Sequence, residues 1–319
     1  MASMDIGGID LEAVNALTHQ LEETLRAAGV DLTGSCSIAN YVASFAPLTQ
    51  LVAYDHIPPD ALMLIGRVEA TAGSAMVECY HQLVLLTLIR SFEDRAVDMQ
   101  LPVEIRPHAQ DYLARLVGRL AKPRRGHYRL DKDPFLKDLA VARLKLWPAG
   151  AELVDIASGI PRRMLMEAGK ARFVKALGQI KFQCGGFKPF LETHFDQRAS
   201  GDFSAEGYRS LYLTIASLLE KAPEMKGMYS CSWWHDPAVV AISPNLGFLN
   251  AIAIEGGAKL YPMGTNDQVT AQATRLSSER TQQMRQGNYR PTRYMMVWAR
   301  KDLLRWAKGQ TASATAAVA

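Results

Sequence analysis

The stretch Thr193-His194-Phe195-Asp196-Gln197-Arg198 carries the side chains with the clearest chemical potential. Read as extended chain, it puts His194, Asp196 and Arg198 on one face, because strand side chains repeat every two residues. Together they could supply a general base, a carboxylate that orients it and a guanidinium for an anion. Histidine suits the first role because its unperturbed pKa, about 6.5, lies near working pH. A solvent-facing strand end with a local salt bridge is the plainer alternative, and both readings stay open.

A second informative stretch runs from Gly227 to Gly264. Tyr229 to Trp234 and Ala238 to Ile242 read as strands from their aromatic and β-branched content. Asp236-Pro237 reads as a turn between them. Ser243-Pro244-Asn245-Leu246-Gly247 then forms a tight loop before a short apolar helix, Phe248 to Glu255, which Gly256-Gly257 stops. Ala258 to Met263 reads as the next strand. In this βαβ order the loop could offer backbone N–H groups to an anion at a helix N-terminus. Trp233 and Trp234 alternate across the first strand, so one faces the core and the other a cleft, with packing the simpler role for each.

The elements that must position these groups divide by grammar. Residues 10 to 122 read as helical, with Leu11 to Ala28, Ser37 to Tyr54 and Leu62 to Ile89 patterned at three- and four-residue spacings. Ile65 to Ile89 is apolar on several faces, a candidate central helix. Glu78 and His81 share a helical face, which suits either a metal or a hydrogen-bonded core histidine. A second Glu-x-x-His motif, which a di-iron site would need, is absent. Lys122-Pro123-Arg124-Arg125-Gly126 marks a domain boundary. Beyond it, Leu139 to Leu146 and Ala151 to Ile156 read as a β-hairpin around Pro148-Ala149-Gly150. Ile160 to Leu177 reads as a helix made basic by Arg162, Arg163, Lys170, Arg172 and Lys175. Phe187 to Phe195 reads as a strand, Ser204 to Lys221 as a helix capped by Asp202 or Ser204, and Asn266 to Gln286 as a polar helix. Tyr294 to Trp298 is the last strand, and Lys301 to Ala307 a terminal helical turn or two. The expected fold is α/β (α+β), with helical region 1–122, mixed-sheet domain 123–308 and a disordered tail 309–319.

The element order from residue 139 onward resembles the acyl-CoA N-acyltransferase superfamily, the GNAT fold. In that family a strand leads into a Gly-rich loop and helix whose backbone N–H groups hold the pyrophosphate of coenzyme A. The resemblance implies acyl-CoA as co-substrate, with Ala238 to Ile242 as the splayed strand and Ser243, Asn245, Leu246 and Gly247 in the pyrophosphate loop. It further implies transfer of the acyl group from the thioester to an amine, with His194 and Asp196 as base and orienter and His235 as a second base candidate. Tyr229, Tyr261 or Tyr289 would protonate the thiolate, and Trp233 and Arg198 would contact substrate. An acyl carrier protein could replace coenzyme A as donor, and the helical first third could cover a tunnel for a long acyl chain destined for a lipid-like amine.

Composition sets the remaining bounds. Hydrophobic residues make up 48% of the 319 and charged residues 21%, which is ordinary for a globular protein. A net charge of +4 suits anionic ligands and leaves room for peripheral membrane contact, but it is too small to imply nucleic acid. Cys36, Cys79, Cys184 and Cys231 form no CxxC pair, so a zinc site is not expected and a reducing cytoplasm is. Gly-x-Ser-x-Gly, Gly-x-Gly-x-x-Gly and phosphate-loop motifs are missing from the sequence, against serine hydrolases, dehydrogenases and nucleotide hydrolases. Two rivals remain: a helical metal-dependent oxygenase built on Glu78, His81, Glu93, Glu104 and His108, and a non-catalytic ligand-binding protein of the same fold.

Overall fold

The computed structural model describes residues 5–6, 8–162, 166 and 169–318. They form a mixed α/β fold in two compact units, Met1–Ala149 and Gly150–Ala319.

The first unit is almost wholly helical. After a minimal antiparallel pair, β1 (Asp5–Ile6) and β2 (Ile9–Asp10), α1 (Leu11–Ala27) opens where the Asp10 carboxylate accepts the Ala13 N–H at 2.9 Å. α2 (Ile38–Ala43) is much shorter than the sequence pattern suggests. The long apolar helix expected from Leu62 to Ile89 is two, α3 (Pro59–Ala72) and α4 (Ser74–Arg90). Gly73, with φ of 84°, breaks the helical path between them. α4 is the central helix, buried on several sides through Val77, Tyr80, Leu83, Leu85 and Leu86. Next come α5 (Phe92–Asp98), α6 (Arg106–Ala121) and α7 (Asp133–Ala142). α7 replaces the expected first hairpin strand: Pro134 opens it, and Phe135, Leu139 and Ala142 recur at helical spacing in the core. Only Leu146–Pro148, β3, is extended.

Glu78 and His81 have separate partners in this unit. Both Glu78 oxygens face the Gly126 N–H, at 2.7 and 3.0 Å. His81 is fully buried, its Nδ1 is 2.8 Å from the Tyr128 carbonyl, and its ring lies 4.6 Å from that of Phe135. Glu93 accepts from Gln110 at 2.9 Å. Among the described residues no three His, Cys, Asp or Glu side chains gather as a metal site.

The second unit is built on a sheet whose strands pair in the order β4-β5-β6-β8-β7. Here β4 is Leu153–Ser158, followed by α8 (Lys170–Cys184), β5 (Phe190–His194), α9 (Ala205–Lys221) and β6 (Gly227–Ser232). Then come α10 (Pro237–Ile242), α11 (Phe248–Glu255) and β7 (Lys259–Gly264). α12 (Asp267–Thr274), α13 (Ser278–Arg285), β8 (Arg293–Ala299) and α14 (Arg300–Val318) complete the chain. β5 and β6 pair parallel, whereas β4 with β5, β6 with β8 and β7 with β8 pair antiparallel. A parallel neighbour requires a long crossover, and α9 supplies it. Side chains alternate across the sheet, so Phe190, Tyr229, Met295 and Val297 pack with Ile160, Ala176 and Ile180 on the α8 side. On the opposite side Trp298 meets Tyr212 and Trp306, with ring centroids 5.2 and 5.3 Å away.

Several expected elements differ here. Ala238 to Ile242 is helical, because Asp236 accepts the Ala238 N–H at 3.0 Å as an N-cap and Pro237 occupies the first turn. Asp-Pro thus starts a helix where a turn between strands is expected. β6 ends at Ser232, and Trp233–His235 is a 3₁₀ turn, so the two tryptophans do not alternate across a strand. In the span of the expected basic helix, Arg162 and Met166 are helical, residues 163–165 and 167–168 lie outside the described residues, and α8 carries the helix on to Cys184. Asn266 to Gln286 is two helices, each with its own side-chain cap, Asn266 and Ser277. α14 runs on through Gly309–Val318, within the segment expected to be a disordered tail. Among the described residues no helix is long and apolar enough to cross a membrane.

Gly227, at φ 148°, starts β6 against β8, and an added Cβ would overlap the Trp298 carbonyl oxygen. Gly227→Ala is expected to destabilise the protein by about 2 kcal/mol, through strain at a backbone conformation that L residues avoid. Urea unfolding of the two proteins at matched m-value checks it.

Candidate functional site

The parallel register sets Glu192 opposite Tyr229, on the α8 side of the sheet. Their side chains meet: Tyr229 Oη donates to Glu192 Oε2 at 2.5 Å, and Ser158 Oγ donates to the same oxygen at 2.7 Å. Ser158 and Tyr229 hydroxyls are 2.8 Å apart, and the Gly159 carbonyl lies 3.2 Å from Tyr229 Oη. Burial and then the Glu192 charge push the Tyr229 pKa up, so the phenol keeps its proton. Cys231, one strand step further on the same side, is pushed up mainly by burial. Glu192 thus sits within a set of protonated hydroxyls and a thiol.

His194 is two residues along the same face, at the end of β5. Its Nε2 is 3.7 Å from Glu192 Oε2, so a proton gained there would meet a carboxylate. The strand stops at His194, and Asp196 and Arg198 therefore leave its alternation. Asp196 is buried and takes the Arg198 guanidinium on both oxygens, from Nε at 2.9 Å and Nη2 at 2.6 Å. The Arg198 N–H also bonds Asp196 Oδ1 at 3.0 Å. This bidentate pair fixes the guanidinium in the 3₁₀ turn Gln197–Asp202, which leads to Ser204, the N-cap of α9. Arg275 holds the turn from outside by donating to Gln197 at 2.8 Å. Phe195 and Phe203 flank the turn and pack on Trp234 and Phe248, with centroids 5.3 and 5.6 Å away. All four rings are half-buried.

His235 is fully buried nearby in sequence to Trp234. Its Nδ1 is 2.7 Å from Asn250 Oδ1, and Asn250 Nδ2 donates to the Trp234 carbonyl at 3.1 Å. The amide nitrogen is committed, so Asn250 Oδ1 accepts and His235 Nδ1 carries the proton. Nε2 is left as a buried lone pair with no hydrogen-bond partner among the described residues. Burial drives the His235 pKa down to about 4, which keeps the ring neutral but makes it a weak base.

The other expected loop, Ser243 to Gly247, follows helix α10 rather than a strand. Ser243 Oγ accepts from Arg280 at 2.6 Å, and the Arg280 guanidinium lies 4.6 Å from the Trp233 ring centroid. Asn245 lies inside the 3₁₀ turn Pro244–Leu246. The Leu246 and Gly247 N–H groups bond the Ser243 and Pro244 carbonyls at 3.0 and 2.9 Å. Of the residues expected to act together, His194, Asp196 and Arg198 cluster at the end of β5, while Ser243 and Trp233 are joined through Arg280. Glu192 is the residue that sequence reasoning passed over. The signal existed, since Glu192 extends the alternating row by one step.

Comparison with solved structures finds an acyltransferase in complex with decanoyl-CoA, at 12% identity over 82% of this chain and 75% of that one, with TM-score 0.50. The fold is acyltransferase-like. Two further acyltransferase structures match at lower scores. The one with decanoyl-CoA and teicoplanin has 14% identity over 69% and 67% of the chains, TM-score 0.43. The one with CoA and 10C-teicoplanin has 13% identity over 88% and 78%, TM-score 0.45. No family model and no curated protein matches the sequence.

The two neutral histidines give this chain a stated acid sensitivity. His81, like His235, is lowered by burial from 6.5 to about 4. Below pH 6.5 the unfolded chain protonates both while the folded chain does not, so stability falls with pH until the folded rings titrate near 4. Each is expected to remove up to about 1.4 kcal/mol per pH unit in that window. Unfolding midpoints measured between pH 7 and 4 test this, with His235→Asn predicted to flatten the slope.

Proposed function

We propose that the chain is an N-acyltransferase of the GNAT type, moving an acyl group from a coenzyme A or acyl carrier thioester to an amine. The observation that carries the reading is the parallel β5–β6 pair, where β5 runs into a turn bearing Arg198 and Gly201 and then into α9. That strand, turn and helix match the family's phosphate-binding order better than Ser243 to Gly247, whose preceding element is a helix and whose Leu246 and Gly247 N–H groups are already bonded. The Ala205 and Glu206 amides begin α9 and have no acceptor within it. With the remaining N–H groups of Arg198, oriented by Asp196, they would form a donor-rich seat for a pyrophosphate. The half-buried Phe195, Phe203, Trp234 and Phe248 rings supply apolar surface beside it for the pantetheine arm or acyl chain.

In this reading the amine nitrogen attacks the thioester carbonyl and His194 takes its proton, the resulting imidazolium facing Glu192. The carbon–sulfur bond then breaks and the departing thiolate takes a proton. Tyr229 already donates its proton to Glu192 and is held protonated by burial, so it orients the carboxylate, and the His194 imidazolium is the group that returns the proton to the sulfur. The low His235 pKa and its bond to Asn250 favour a positioning role for that residue over the role of base. The decanoyl chain of one structural relative and the glycopeptide of another leave the amine acceptor of this chain open to screening.

Decanoyl-CoA at about 100 times its Kd is expected to raise the unfolding midpoint by roughly 5–10 °C. Glu192→Gln and His194→Gln are expected to lower kcat about 100-fold while keeping that thermal shift, as removal of proton-transfer groups should. A protein whose midpoint ignores every coenzyme A thioester, or whose turnover survives both substitutions, would not be this enzyme.

A further inference from the structure

The mild positive charge of the chain is concentrated on one helix. From Gly169 to Leu191 the sequence holds five cations and no carboxylate. α8 turns Ala176 and Ile180 into the core, which leaves Val174, Gly178, Lys181 and Phe182 on its outer face. Val174 is 67% exposed and Phe182 85% exposed, far more than isolated apolar surface residues need be.

Leu177, Gly178 and Lys181 of α8 line one side of a concavity of about 1070 Å³, with Ile160, Phe187 and Lys226 on the other. Arg162 and Lys188 also line it. The Arg162 guanidinium stands 4.8 Å above the Phe187 ring centroid, and Lys226 Nζ donates to the Gly185 carbonyl at 2.7 Å. None of Arg162, Lys181, Lys188 or Lys226 forms an ion pair with a carboxylate among the described residues. Asp302, whose charge acts on Cys184, pairs with Arg305 at 3.2 Å. A glycine at 178 keeps the floor open, since a Cβ there would meet nothing within 4 Å.

We infer that the outer face of α8 docks on an anionic bilayer surface, with a lipid phosphate headgroup in the Arg162–Lys181–Lys188–Lys226 concavity and Val174 and Phe182 inserted among the acyl chains. Unpaired cations alone would suit any soluble anion. Val174 and Phe182, exposed on the outer face of the helix that carries Lys181, add apolar surface that a soluble anion would leave in water and a bilayer interface would cover. Basic residues near such a surface gain from its negative potential over about one Debye length, roughly 10 Å at 0.1 M salt. The inference stands independently of the acyl-transfer reading.

Sedimentation with vesicles tests it directly, using the full chain at 0.1 M salt. Vesicles of phosphatidylcholine containing about a third phosphatidylserine should carry down at least tenfold more protein than pure phosphatidylcholine. Lys181→Glu combined with Phe182→Ser should lose that excess tenfold or more. Gly178→Glu, which sets a carboxylate in the concavity without a clash, should do the same with an unchanged unfolding midpoint. Equal binding to both vesicle types or full binding by the variants would overturn it, as would glycerol phosphate bound by protein that does not sediment with the anionic vesicles, which marks a soluble-phosphate site.

Discussion

The parallel pairing of β5 with β6 is the constraint on which the second unit depends. It requires the crossover helix α9, so β5 must end in a turn that feeds a helix N-terminus, and that turn carries Arg198. The same register sets Glu192 against Tyr229, which puts a carboxylate and a phenol on the α8 side of the sheet. Antiparallel pairing at this position would have replaced the crossover with a hairpin and left neither arrangement. One backbone choice therefore fixes both the polar cluster and the turn that carries the Arg198–Asp196 pair.

Burial then gives these groups different characters. Tyr229 keeps its proton because ionisation would put a second negative charge beside Glu192 in a poorly solvated place. His235 is neutral because its ring is enclosed and only one nitrogen has a partner. Asp196 tolerates burial because Arg198 bonds both its oxygens, and a buried carboxylate without that partner would be costly. Tyr229 and His235 thus have fixed protonation states and Asp196 a fixed partner before any ligand arrives, as the proposed acyl transfer would need from its scaffold.

Much of this was legible in the sequence where the information is local. The α11 helix, the β7 and β8 strands and the Ser204 cap follow from apolar runs and capping chemistry within a few residues. The His194, Asp196 and Arg198 row assumes an extended chain, but the strand ends at His194, whose Nε2 lies 3.7 Å from Glu192. Ambiguity arose where one dipeptide serves two structures. Asp236-Pro237 fits a turn or a helix start, and the N-cap bond to Ala238 decides for the helix. Leu139 to Leu146 alternates, yet its upstream Pro134 and Phe135 join it to a helical stripe. Ser158 joins Glu192 from 34 residues away, a contact set by sheet register and invisible to spacing.

The most direct measurement is a crystal structure of the protein with coenzyme A bound. The account predicts the pyrophosphate beside Arg198 and the Ala205 and Glu206 amides, with the thiol directed toward Glu192, His194 and Tyr229. Pyrophosphate at Ser243 to Gly247, or a thiol remote from the β5–β6 pair, would contradict it.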